Sequence, residues 1–302
     1  MPSRKPQPET PPPPGKAIIR LRLWGLLSHG LLYLGLLFPA PAAANGPQDC
    51  GRLLPYKSSF VQVGYDTLAP PERHHREIIF DFSFQYETCF LPMLHIGYSQ
   101  HSFWQFFDEK RSSPFRETNY NPEIFYRRRF GYSERIMGRP GLQAGFEHES
   151  NGRGPTVDEY GNNVNMSRSW DRGYVWAWWK NGREGPFVIG LKWWQRKKEQ
   201  DKRDPLAPLG DDNPQIEDFT GKGEFYLGFS TSERAGLLVM MRKGRRDHHG
   251  TVRMEYIFNS GIEGGYMQLI YFSGYGESLI DYDRRVERYG LGMSFHGMLS
   301  MF

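Results

Sequence analysis

The sequence predicts an all-β chain closed into an antiparallel transmembrane β-barrel of about twelve strands. Three observations lead there. Segments about ten residues long, the length of a tilted spanning strand, recur along the chain with period-two alternation of apolar and polar residues. Only 38% of residues are hydrophobic while 15% are aromatic, with 34 Gly, 17 Tyr and 8 Trp. A barrel produces such averages because lumen-facing residues dilute lipid-facing ones. No long amphipathic helix separates the segments, which argues against a parallel α/β sheet.

Taken in order, the chain begins with a targeting segment. Arg4, Lys5, Lys16, Arg20 and Arg22 precede the apolar run "LWGLLSHGLLYLGLLF", and "PAPAAANG" follows with Ala42, Ala43 and Ala44 at an A-x-A site. That pattern predicts a cleaved export signal over 1–44, then a short polar lead over 45–57 and a barrel over 58–302. The run contains His29 and glycines, unlike a spanning anchor, and no later stretch is apolar enough for a spanning helix. Cys50 and Cys89 are the two cysteines; their spacing leaves a disulfide and two free thiols both open. The net charge of +4, with no long basic run in the body, argues against nucleic acid as a partner.

Strand centres fall near residues 62, 82, 97, 124, 144, 175, 191, 226, 238, 254, 269 and 294. In "IIFDFSFQYE", Ile78, Phe80, Phe82, Phe84 and Tyr86 take one parity, and Asp81, Ser83, Gln85 and Glu87 the other. "FVIGLKWW", "EFYLGF" and "VRMEYIF" repeat the rule. Two segments break it: "FYRRRFGY" is dense in charge, and "GLLVMMRKG" does not alternate. The aromatic end of "YGLGMSFHGMLSMF" suits a last strand that closes on the first. A soluble β-sandwich would have shorter strands and a less aromatic outer parity. The long polar segments 151–169 and 196–220 are expected on the extracellular side.

The stretch "LQAGFEHES" holds the candidate chemistry. Leu142, Ala144, Phe146, His148 and Ser150 share a parity, so His148 and Ser150 are neighbours on the lipid-facing side. A nucleophile needs an adjacent base, and these two residues supply the pair. Asp171 shares the outward parity of Val175, Ala177 and Trp179 on the following strand, which brings it beside His148 as the group that orients the imidazole. The bland alternative is two polar residues just above the hydrocarbon.

Four motifs, "SSPFRETNY" (112–120), "HESNGR" (148–153), "SRSWDR" (167–172) and "SGYGESLIDY" (273–282), together resemble the outer-membrane phospholipase A family of Gram-negative bacteria. The resemblance implies a twelve-stranded outer-membrane barrel with its site on the outer wall. It also implies calcium-dependent hydrolysis of phospholipid acyl esters (A1, A2 and lysophospholipase activity), switched on when two barrels form a homodimer. Carried over, Ser150 is the nucleophile, His148 the base and Gly152 the source of an oxyanion N–H. The calcium site maps to the Arg153 carbonyl and Ser167, with Ser112 from the partner barrel, and Gln100 maps to the dimer contact. "DDNP" at 211–214 suggests Asp212 as a secondary metal ligand; as a motif it is equally a solvated turn. Two departures stand out: the family pattern "SRSWNR" has Asn where this chain has Asp171, and a long loop separates Arg153 from Ser167, in which Asp158 and Glu159 offer extra oxygens. "GYGESLIDY" is read as a turn with its flanks. The competing functional readings are a non-enzymatic pore or adhesin, and a soluble serine esterase, for which no G-x-S-x-G elbow is present.

Overall fold

The computed structural model describes residues 51–295, apart from 159–160, 183–185, 203, 205, 208, 233–234 and 262–264. The expected signal and Phe302 lie outside the described residues.

The strands are β1 (Leu53–Pro55), β2 (Phe60–Asp66), β3 (Arg76–Glu87), β4 (Leu94–Trp104), β5 (Phe115–Arg129) and β6 (Gly138–Ser150), then β7 (Pro155–Val157) and β8 (Asn163–Asn165) in a loop. They continue as β9 (Ser169–Asn181), β10 (Phe187–Arg196), β11 (Gly223–Ser232), β12 (Ala235–Lys243), β13 (Gly250–Asn259), β14 (Tyr266–Gly274) and β15 (Val286–Ser294). Twelve of them, β2–β6 and β9–β15, pair antiparallel with their chain neighbours, and β15 closes on β2. All twelve expected strands form. The last is centred nearer residue 290 than 294, because the alternating pattern runs on past Phe295 into residues outside the described set.

Alternation sets the two faces. On β3, Phe82, Phe84 and Tyr86 point out and are exposed, while Ser83 and Gln85 are buried inside. On β10, Ile189, Leu191 and Trp193 point out, and Val188, Lys192 and Trp194 point in. The two irregular segments have identifiable causes. Arg127 of "FYRRRFGY" turns inward, where its guanidinium donates to Gln143 Oε1 at 2.7 Å and Gln85 Oε1 at 2.8 Å. In "GLLVMMRKG", Leu238 faces inward and is buried in the aromatic core, so the lumen side is apolar there and the period disappears.

The lumen is filled. Tyr56, Trp170, Tyr174, Trp176, Trp178 and Trp194 form one apolar cluster within it. Around them buried charges are paired: Glu147 takes Lys192 at 2.9 Å and Arg172 at 3.2 Å. A cavity of about 270 Å³ remains among these side chains, room for a cluster of waters. Residues 53–57, expected to belong to the lead, are part of the barrel: β1 pairs with β3, and the Tyr56 hydroxyl donates to Glu123 Oε2 at 3.0 Å. Cys89 is disulfide-bonded; the other cysteine, Cys50, lies outside the described residues.

Connections 67–75, 105–114, 151–168, 197–222, 244–249 and 275–285 emerge at one end; 88–93, 130–137 and the turns that join β9 to β10, β11 to β12 and β13 to β14 lie at the other. At the long-loop end, "GYGESLIDY" does more than turn. Leu279 and Tyr282 are buried in the aromatic core. The Leu279 and Ile280 amides donate to Asn119 Oδ1 at 3.2 Å and Glu117 Oε1 at 2.8 Å. The segment therefore plugs this mouth of the barrel.

Candidate active site on the outer wall

β6 and β9 pair with His148 opposite Asp171 and Ser150 opposite Ser169. Strand alternation places all four on the outward side, with Phe146 and Val175 exposed below them. The imidazole Nδ1 of His148 lies 2.8 Å from Asp171 Oδ1. That contact commits Nδ1 to the carboxylate and leaves Nε2 for a second partner. The other carboxylate oxygen, Oδ2, accepts from the Lys197 ammonium at 3.2 Å. On the opposite flank, Asn121 Nδ2 donates to the His148 carbonyl at 2.9 Å, tying the site to β5.

Gly152 follows Ser150 in a left-handed turn with φ +62°. A side chain here is disfavoured twice, by that backbone and by the Tyr120 ring, which would stand 3.1 Å from a Cβ. The turn re-aims the backbone just past the strand end, beside Ser150.

Asn151 organises this turn. It continues the inward parity of Glu147 and Glu149, and it is 4% exposed. Its Oδ1 accepts from the backbone N–H of Arg153 at 3.2 Å and of Arg168 at 3.1 Å. Its Nδ2 donates to the Met166 carbonyl at 2.8 Å and Glu117 Oε1 at 3.2 Å. One amide therefore clips 151–153 to 166–168, which brings Arg153 and Ser167 together despite the fourteen-step separation expected to disturb them. The intervening residues fold away as the β7–β8 hairpin. Within it the Asp158 carboxylate is taken up by Asn162, N–H at 2.7 Å and Nδ2 at 3.1 Å, so it is not aimed at Arg153 or Ser167; Glu159 lies outside the described residues.

Asp212 sits beside Ser167. Burial pushes its carboxyl up, but hydrogen bonds from Lys202, Ser167 and Asn165 outweigh this and hold it below the ordinary carboxylate range. The Lys202 ammonium already occupies this carboxylate. Asp211 pairs with Arg196 at 2.6 Å, and Asn213 Oδ1 accepts the Ser169 N–H at 3.2 Å. "DDNP" thus clasps the 197–222 loop to the top of β9 and β10 through Arg196, Lys202 and Ser169. Among the described residues, no group of three or more His, Cys, Asp or Glu is arranged to hold a metal.

Ser112 is exposed on the separate 105–114 connection, at the same end of the barrel, in a left-handed conformation that ends a short 3-10 turn. Gln100 is level with the site on the outer wall, since Gln100 opposes Tyr120 and Tyr120 opposes Ser150. It accepts from the Tyr98 hydroxyl and donates to Ser102 Oγ, each at 3.0 Å.

Sequence reasoning found His148, Ser150 and Asp171 but missed Asn151, Asn121 and Lys197. Asn151 carried a legible signal, a polar residue on the inward parity at a strand end. Lys197 carried none, because its place depends on the β9–β10 register.

Comparison with known proteins adds an independent line. The family profile for phospholipase A1 matches residues 57–295. A phospholipase A1 of Salmonella typhimurium is 31% identical over 215 residues, 67% of this chain and 61% of that protein. The solved outer membrane phospholipase A from Escherichia coli shares the fold, with a TM-score of 0.68 and 24% identity over 82% of this chain and 100% of that one. The Salmonella typhi outer membrane phospholipase dimer with bound calcium gives the same TM-score of 0.68 at 24% identity, covering 84% of this chain and 96% of that one. The chain spans about half to three fifths of the length of the curated relatives it matches, 49% of a Neisseria meningitidis protein and 61% of the Salmonella typhimurium one.

Proposed function

Because this chain belongs to the phospholipase A1 family, we propose that it is a calcium-dependent outer-membrane phospholipase that hydrolyses acyl esters with a Ser150–His148–Asp171 triad on the outer wall of its barrel. The observation that carries this reading is the 2.8 Å contact between His148 Nδ1 and Asp171 Oδ1 on the lipid side, two residues from Ser150. Polar groups on a membrane wall are costly and call for a function. A serine esterase on such a wall meets its substrate in the bilayer, without a soluble binding pocket.

In the proposed reaction His148 Nε2 takes the Ser150 hydroxyl proton as Oγ attacks the ester carbonyl. Asp171 holds the tautomer and stabilises the imidazolium. The Gly152 N–H donates to the oxyanion, and His148 returns its proton to the departing glycerol oxygen. Water then releases the fatty acid by the same route. Acyl esters at either glycerol position, and lysophospholipids, present the same carbonyl to this serine.

The residues assigned to calcium offer oxygen alone, the Arg153 carbonyl and the Ser167 hydroxyl, with Ser112 from a second copy, and calcium prefers hard oxygen ligands. Asn151 holds the first two segments together, which supports the fit; Asp212, already occupied by Lys202, is left out of the set. When bound beside Ser150, the ion would stabilise negative charge developing on the ester oxygen. Sharing ligands between copies links calcium to dimer formation. Gln100, a polar amide on the lipid side, is placed in that dimer contact. The pore alternative is disfavoured by the filled lumen.

The test is fatty-acid release from phospholipid mixed micelles by the purified, folded barrel, with calcium and with chelator. Wild type should be active only with calcium, and Ser150→Ala inactive although still heat-modifiable on a gel. Turnover by Ser150→Ala near that of wild type would refute the assignment.

A further inference from the structure

Lys197 is the first residue beyond β10. Its backbone N–H donates to the Asp171 carbonyl at 2.9 Å, which extends the β9–β10 ladder one step past the Arg196–Arg172 pair. His148, Asp171 and Lys197 therefore form one row across three neighbouring strand positions on the outer wall. The two carboxylate oxygens of Asp171 are divided between them, Oδ1 to the imidazole at 2.8 Å and Oδ2 to the ammonium at 3.2 Å.

We propose that Lys197 is a positioning residue for the triad: by holding Oδ2 and balancing the charge of Asp171, it keeps Oδ1 turned to His148. The proposal rests on the triad reading above. An aspartate carboxylate rotates easily about its last bond, so one contact to the imidazole leaves its orientation loosely fixed, and two contacts fix it. The setting strengthens the case. An uncompensated carboxylate on a membrane wall is costly, while a lysine stem lies along apolar surface and carries its ammonium to the polar level. The pair adds little to overall stability, since Lys197 and Asp171 side chains are 51% and 39% exposed and exposed ion pairs contribute little. Its effect is on geometry. Glu199 also interacts with both Asp171 and Lys197 and competes for the ammonium. From the β5 side Tyr120 opposes Ser150 on the outward face, while Asn121, on the inward parity and bonded by the Lys57 ammonium at 3.1 Å, reaches the His148 carbonyl from behind.

The mechanism makes a specific claim about position 171. In Asp171→Asn, the amide oxygen can serve His148, but its NH2 then points at the Lys197 ammonium, donor against donor. Removing the ammonium relieves that conflict. The experiment measures kcat and KM on mixed micelles with calcium for wild type, Ser150→Ala, Lys197→Met, Lys197→Arg, Asp171→Asn and Asp171→Asn/Lys197→Met, each checked for heat-modifiable migration. Lys197→Met should lower kcat about tenfold with KM within about twofold, as expected for a misplaced catalytic group, and Lys197→Arg should retain most of the activity. The double variant should exceed Asp171→Asn in kcat, a coupling of opposite sign to the single effect. A Lys197→Met kcat within about twofold of wild type, or a double variant no better than Asp171→Asn, would overturn the positioning role while leaving the triad standing. An active Ser150→Ala would bring down the triad and this role with it.

Discussion

Asn151→Ala tests whether the turn beside Ser150 is held by a single amide. The perturbation removes four hydrogen bonds, to the Arg153 and Arg168 N–H groups, the Met166 carbonyl and Glu117 Oε1. With a net worth of roughly 0.5–1.5 kcal/mol each, the loss is about 2–6 kcal/mol of local order, the low end applying where water re-pairs the freed groups. The closed barrel has its own ladder and should survive. The turn has little else: Arg153 keeps a guanidinium contact to the Phe115 carbonyl at 3.2 Å, and the Asn151 N–H still bonds the Arg168 carbonyl at 3.0 Å. If the Gly152 N–H then drifts from its place, turnover should fall about 10²–10³-fold, the cost of losing an oxyanion donor. Asn151→Asp should not restore activity, because it keeps the acceptor, loses both donors and sets a carboxylate against Glu117. The assay is fatty-acid release at saturating calcium, paired with hydrogen exchange at residues 151–153 and 166–168. Turnover within about threefold of wild type, or unchanged exchange in both segments, would refute the reasoning.

Other outcomes follow from the same geometry. Asp171→Ala should lose more activity than Asp171→Asn, because only the amide retains an acceptor for His148 Nδ1; equal kcat values in micelle assays would remove Asp171 from the triad. Chelation should reduce crosslinked dimer and activity together, and Ser112→Ala should weaken the calcium dependence of both; indifference of crosslinking and turnover to chelator would exclude a shared metal site. Asp281 should tie the mouth plug down in a pH-dependent way. Burial pushes its carboxyl up, but Arg116, Arg73 and Arg284 outweigh this and hold it below the ordinary range. A depressed carboxyl stabilises the folded state above its unfolded value of about 3.9, and the stabilisation is lost as pH falls through the folded value. Protease cleavage within 275–285 should therefore rise on acidification below about pH 4, while heat-modifiability persists, and Asp281→Asn should show raised cleavage already at neutral pH. In the lumen, Lys192→Met leaves Glu147 with Arg172 and the field of Lys57. Because the carboxylate stays partly compensated, the loss should fall below the roughly 3–5 kcal/mol of a buried charge left unpaired, read as a lower urea midpoint for the barrel.

The sequence by itself determined the barrel and the face on which His148, Ser150 and Asp171 stand. Period-two alternation is a local property: it sorts Phe82 from Ser83 and His148 from Glu147 without knowledge of any partner strand. Adjacent strands in an up-and-down barrel also pair in chain order, so the neighbour of β6 was legible, and with it the meeting of His148 and Asp171. The resemblance of four short motifs to one lipase family rests on the same local information. The tertiary structure decided everything that depends on register or on loop closure. Lys197 reaches Asp171 because β10 stops one residue short of it, and a register slip would have sent its side chain elsewhere. Asn151 brings Arg153 to Ser167 across a hairpin whose length, seen in sequence, suggested separation. Asp211, Asp212 and Asn213 became a clasp because Arg196, Lys202 and Ser169 stand opposite them. The alternation breaks at Leu238 because that inward-facing residue packs into the aromatic cluster of the lumen. In each case the deciding partner lies on another segment, and side-chain chemistry alone does not say which segment closes against which.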